Sequence, residues 1–163
     1  MFRQDFSQLA IFDGLTTGQL SQLEPFFERV HFKAGQIVFD QGSDANHLYI
    51  LLTGKVEVVY KPYDGPPLTV ARINDGGVFG WSAALGREAY TSAAISTENG
   101  EAIRLSVANL RQLCEKSPQI GSAFLDRLAG VIAERIQNTH DQVLAILTQG
   151  METNSDCQEE GEG

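Results

Sequence analysis

At 163 residues and 42% hydrophobic, the chain is long enough to bury one sizeable core and gives no sign of a second. Its formal net charge of -9, with 12 basic against 21 acidic residues and no cluster of Lys or Arg, disfavours a nucleic-acid backbone or an acidic membrane surface as partner. No apolar run approaches the roughly 20 residues that span a bilayer, and Met1-Phe2-Arg3-Gln4-Asp5 lacks the features of a signal peptide. A cytoplasmic protein with no membrane contact is expected.

The first segment places Leu9, Phe12, Leu15, Leu20, Leu23, Phe26 and Phe27 among polar residues, with Thr16 or Thr17 positioned to cap a helix that runs to about Phe27. From Val30 the period changes. Val30 and Phe32, Ile37-Val38-Phe39, Leu48 to Leu52 and Val56 to Tyr60 are β-prone runs separated by Gly35, Gly42 and Gly54. Lys61 to Pro67 holds three prolines and reads as a hairpin tip, Leu68 to Ile73 as the returning strand, and Thr91 to Thr97 and Ala102 to Ser106 as two more strands joined at Asn99-Gly100. The rhythm predicts a mainly β domain with added helices, a double-sheet jelly roll of about eight strands.

The last third is predicted helical, with a short helix over Val107 to Glu115 and a long one over residues 118–148 that Pro118 opens. Leu125, Leu128, Ile132, Ile136, Thr139, Val143 and Ile146 form an apolar stripe on the long helix. Such a helix needs a cover, either the β-roll over its first turns or the same helix of a second copy, and the second predicts a homodimer through residues 118–148. Residues 150–163 are rich in Gly and acids and read as a flexible tail, leaving 1–149 as the folded domain.

Between the fifth strand and Thr91 lies Gly76-Gly77-Val78-Phe79-Gly80-Trp81-Ser82-Ala83-Ala84-Leu85. Gly76 and Gly77 permit a tight turn, Gly80 lets backbone approach a ligand, and Ser82 to Leu85 can start a short helix whose amides face an anion. No catalytic or metal-binding constellation is expected. Cys114 and Cys157 have no paired spacing, His31 and His47 stand far apart in sequence, and His140 falls on the last helix. A metal enzyme on a cupin-like jelly roll is disfavoured for that reason.

The order of parts resembles the cyclic nucleotide-binding domain of the catabolite-activator and kinase-regulatory-subunit families. The likeness rests on Ala34-Gly35, Val38-Phe39-Asp40-Gln41-Gly42, Leu48 to Val58 with Gly54, and Phe79-Gly80, and it covers roughly Phe6 to Gln149. It implies a β-roll with a lead-in helix and two closing helices, and a regulatory module that binds cyclic AMP or cyclic GMP without catalysis. In the family the cassette's glutamate takes the ribose 2′-hydroxyl and its arginine pairs with the cyclic phosphate. Here Trp81 stands where the glutamate belongs and Thr91 where the arginine belongs, followed by Ser92-Ala93. A charged bidentate contact is worth about 1.5–3 kcal/mol, so losing the arginine alone weakens binding about tenfold to a hundredfold.

The candidate ligand residues are therefore Gly80, Trp81, Ser82, Ala83, Ala84, Arg87, Thr91 and Ser92. Arg87, in the loop between the cassette and the next strand, either reaches the site or is solvated; Trp81 either stacks on a planar ring or closes the pocket. Two functions compete. One is a sensor that binds a cyclic nucleotide weakly, or another small anion, and signals through its closing helices. The other is a ligand-independent dimeric interaction module with a degenerate pocket. The family's transcription regulators carry a helix-turn-helix after the long helix, where this chain has its acidic residues 150–163. Direct DNA binding is not expected, and any transcriptional role requires a protein partner.

Overall fold

Thr16 fixes where the first helix starts. Its hydroxyl accepts from the Gln19 amide (3.1 Å) and the Gln19 side chain accepts from the Thr16 amide (2.9 Å), a capping box that opens α1, Thr17–Leu23. The computed structural model describes residues 9–135, and a single 3₁₀ turn, Ala10–Phe12, precedes α1. The helix stops at Leu23 rather than near Phe27. Pro25 has no amide to donate and its ring crowds the preceding turn, so Glu24–Phe26 tightens into a 3₁₀ turn and Phe27 becomes the first residue of a strand.

Eight strands follow among the described residues: β1 (Phe27–Phe32), β2 (Ile37–Phe39), β3 (His47–Thr53), β4 (Val56–Tyr60), β5 (Leu68–Ile73), β6 (Val78–Phe79), β7 (Ala93–Ser96) and β8 (Gly100–Ser106). They form two four-stranded antiparallel sheets, ordered β1-β8-β3-β6 and β2-β7-β4-β5. The expected jelly roll with helices before and after it is the observed architecture. The strand expected from Thr91 begins only at Ala93, which leaves Thr91 and Ser92 in a bend.

The centre of the first sheet, along β3 and β8, is buried on both faces. Its inner face sets Phe32, Tyr49, Leu51, Phe79 and Ala102 against Val56, Ile73 and Ala94 of the second sheet. On its outer face Phe27 meets Phe12 edge-on at 5.8 Å and Phe124 edge-on at 6.0 Å, while Phe12 and Phe124 stack at 6.0 Å. That triad gathers the lead-in segment, β1 and a C-terminal helix on one spot. Burial of three large rings accounts for the docking.

Two helices close the described chain. Ser106 caps α2, Val107–Lys116, by accepting from the Asn109 amide at 3.0 Å, and the Asn109 side chain donates to the Phe26 carbonyl at 2.9 Å. The second, α3, occupies residues 118–135. Its buried residues include Ile120, Phe124 and Leu128; Leu128 and the buried Ile132 belong to the expected stripe, whereas Leu125 is exposed because the aromatic triad recruits Phe124 in its place. Contacts divide the chain between Leu128 and Ala129. Ile136, Thr139, Val143 and Ile146 of the expected stripe, the rest of the 118–148 helix, and the 150–163 tail lie outside the described residues.

Adjacent positions on α3 should therefore respond very differently to truncation. Phe124→Ala is expected to lower the unfolding free energy by about 3–5 kcal/mol in urea denaturation, whereas Leu125→Ala, at an exposed position, should change it by no more than about 0.5 kcal/mol.

Candidate ligand site

Gly80 is held where no other residue fits. Its φ is +73°, and an added Cβ would lie 3.1 Å from the His47 carbonyl oxygen and 3.2 Å from ring carbons of Phe39 and Tyr49. From there the backbone makes one turn rather than the expected helix. Leu85 donates to the Trp81 carbonyl at 3.1 Å, then Gly86 donates to Ala83 at 3.4 Å and Arg87 to Ser82 at 3.0 Å. With Gly86 at φ +77°, these last two bonds make a Schellman cap, which ends the turn as soon as it has formed. The amides of Ser82 and Ala84 donate to nothing among the described residues.

Below the turn, Tyr90 locks the cassette to β3. Its hydroxyl donates to the His47 carbonyl at 2.6 Å and accepts from the His47 amide at 3.1 Å. The ring lies flat on Phe39 with centroids 3.7 Å apart, in a small buried cluster with Ala45 and Ala83. Burial pushes the phenol up to about 12, although the His47 backbone bond opposes the shift. Val107, the first residue of α2, packs on this cluster, and its amide donates to the Asn46 carbonyl at 3.0 Å. A continuous set of contacts thus joins the cassette to a closing helix.

The predicted residues separate by exposure. Ser82 and Ala83 are buried, Gly80, Trp81, Ala84 and Ser92 are half-buried, and Arg87 and Thr91 are exposed. The C-cap fixes Arg87 at the rim through its backbone, and its guanidinium bonds to none of the described residues. Apart from Arg87 and Glu88, both exposed, the cassette holds only neutral groups.

Two further charged groups stand on the sheet from which it springs. Glu28 of β1, Arg104 of β8, Tyr49 of β3 and Phe79 of β6 stand in one row across the inner face of the first sheet, directly before Gly80. Arg104 Nε donates to Glu28 Oε2 at 2.7 Å. That bond holds the Glu28 carboxyl below its ordinary range and raises the guanidinium further. Burial, followed by the Arg104 charge, lowers the His47 imidazole. Sequence reasoning passed over Tyr90, Phe39, Glu28 and Arg104. Arg104 had a readable signal, a lone charge in the otherwise apolar centre of Ala102-Ile103-Arg104-Leu105. Among the described residues no group of three or more His, Cys, Asp or Glu is placed to hold a metal, and no helix is long and apolar enough to cross a membrane.

The family model of the cyclic nucleotide-binding domain matches residues 29–117, more than half of the chain and every strand from β2 to β8. The chain belongs to the cyclic nucleotide-binding domain family. A CRP-like cAMP-activated global transcriptional regulator of Mycobacterium tuberculosis is 23% identical over 141 residues, covering 86% of this chain and 61% of that protein. The chain thus spans about three fifths of that relative's length. A cyclic nucleotide-binding domain from Methylobacillus flagellatus superposes with a TM-score of 0.80 at 18% identity over 88% of this chain and 81% of its own. The regulatory subunit of a cAMP-independent protein kinase A from Trypanosoma brucei gives 0.73 at 19% identity, over 90% and 50%. The last two likenesses concern the fold.

The Tyr90 lock carries a pH signature. With its phenol at about 12 in the fold against 10.0 for the free side chain, its stabilisation is complete below pH 10 and is lost as pH rises through about 12. Tyr90→Phe should lower stability by about 1–3 kcal/mol at pH 8, since the His47 backbone loses its partner. In urea titrations from pH 8 to 12 it should also flatten the alkaline decline seen with the unmodified chain.

Proposed function

We propose that this cyclic nucleotide-binding domain is a non-catalytic regulatory module that binds a cyclic nucleotide weakly, or another small anion, at the Gly80–Ser92 cassette. The observation that carries the reading is the pairing of a Gly80 wedged at positive φ with unclaimed amides at Ser82 and Ala84. Backbone donors are thereby aimed at an anion although both charged anchors of the family are replaced, by Trp81 and Thr91. Ser92 and Thr91 add hydroxyls, Ala83 forms the floor, and Arg87 supplies positive charge at the rim.

Occupancy passes to the closing helices through Tyr90, Ala83 and Val107. A ligand that draws in the Ser82–Ala84 turn shifts the cluster on which Val107 rests, and only a difference in affinity between two positions of α2 can drive a response. A homodimer through 118–148 and a protein partner reading that helix complete the proposal. The fold alone does not decide the ligand, being shared by a cAMP-activated regulator and a cAMP-independent kinase subunit.

One observation favours the ligand-independent alternative. Tyr90 and Phe39 stack at 3.7 Å and fill the space beneath the cassette with the protein's own rings. Calorimetry of the full chain with cyclic AMP and cyclic GMP separates the two readings. Dissociation constants in the micromolar to millimolar range are expected, tightening about tenfold to a hundredfold in Thr91→Arg as the guanidinium returns. Absence of binding up to millimolar ligand in both proteins would leave the interaction module standing.

A further inference from the structure

Between the two sheets the packed residues are apolar or aromatic, apart from Ser96, whose buried hydroxyl donates to the Glu98 carbonyl, and the charged pair Glu28 and Arg104 at one end. The other ion pairs among the described residues, Arg29 and His31 with Glu101, Lys55 with Glu98, and Arg72 with Glu57, lie in loops or on outward faces. A charged pair drawn partly out of water contributes little to stability, and an apolar pair in its place is often as good. Fold stability therefore gives no reason for this one.

Its geometry suits recognition. Arg104 is 29% exposed and Glu28 62%, so the pair is anchored in the sheet yet open to a ligand. The pairing of Arg104 with Glu28 is single, through Nε, and the Tyr49 phenol is a second partner of the head group, which leaves part of its five donors for a ligand. The guanidinium charge is felt at His47 and at the Tyr90 hydroxyl, beneath the cassette. One carboxylate and one guanidinium are the charges that Trp81 and Thr91 no longer provide.

We propose that Glu28 and Arg104 are the charged anchors of the ligand site, moved from the cassette to β1 and β8 of the sheet from which it springs. Arg104 receives the anionic group and Glu28 a hydroxyl or amino donor of the same small molecule. The inference rests on the reading of the Gly80–Ser92 cassette as the ligand site. It narrows the ligand to small molecules bearing both an anion and a hydrogen-bond donor, with a flat ring able to lie by Tyr49, a class that includes cyclic nucleotides.

The test is calorimetry of the full chain with cyclic AMP and cyclic GMP, together with the NMR signal of the Arg104 Nε–H. Arg104→Gln should weaken binding at least tenfold and Glu28→Gln severalfold, while Arg72→Gln, which removes an outward guanidinium, stays within twofold. The exchanged pair Glu28→Arg with Arg104→Glu should keep the melting temperature of the unmodified chain yet bind no better than Arg104→Gln. Nucleotide binding that is unchanged in Arg104→Gln would overturn the inference and leave the proposed function intact. If the unmodified chain binds neither nucleotide, the nucleotide reading of that function fails, and titration with inorganic phosphate decides the inference. A saturable shift of the Arg104 Nε–H supports an anion receiver, and a static signal refutes it.

Discussion

The first sheet is covered on both sides, and most of the molecule follows from that. With the second sheet on one face and the aromatic triad on the other, β3 and β8 have almost no position at which a polar side chain reaches water. Residues 48–51 and 102–103 are buried without a break, the run expected of a strand enclosed on both faces. Charge is admitted only where the enclosure ends. One end carries Glu101 with Arg29 and His31 on the outer face; the other carries Arg104 with Glu28 inside. The cassette is attached at the second end, through β6 and Gly80.

That placement divides labour between scaffold and site. The scaffold supplies close packing around Tyr49 and Phe79, whose rings stack at 5.0 Å, and this defines the wall from which the cassette springs. The cassette adds little packing of its own beyond Ala83 and Tyr90. Its one turn is held by its own backbone bonds and by the Tyr90 hydroxyl. Loss of both charged anchors of the family at Trp81 and Thr91 is compatible with an intact β-roll for that reason.

Much of the roll could be read from the sequence because its signals are local. Alternation in 68–73, the prolines of 61–67 and the glycines at 35, 42 and 54 each mark an element directly. What could not be read depends on pairing across distance. The end of α1 was misplaced because the apolar pattern continues through Phe26 and Phe27, and Pro25 outweighs it only when the strand that Phe27 begins is known. On α3 the expected stripe fails only at Leu125, because Phe124 and Leu125 are both apolar and only the rings of Phe12 and Phe27 choose between them. At the site, the glycines and small residues of the cassette were legible as a ligand-facing turn. The Schellman cap depends on Gly86 having positive φ, and the row from Glu28 to Phe79 depends on the register of four strands that are far apart in the chain.

The capped turn also bears on how such a module can be rebuilt. Because Gly86 and Arg87 satisfy its last carbonyls and Gly80 and Tyr90 hold its two ends, the side chains at Ala84 and Leu85 work as an interchangeable face on a fixed frame. A designer seeking a reporter for a new metabolite can vary those two positions while leaving the frame, and its connection to Val107, untouched.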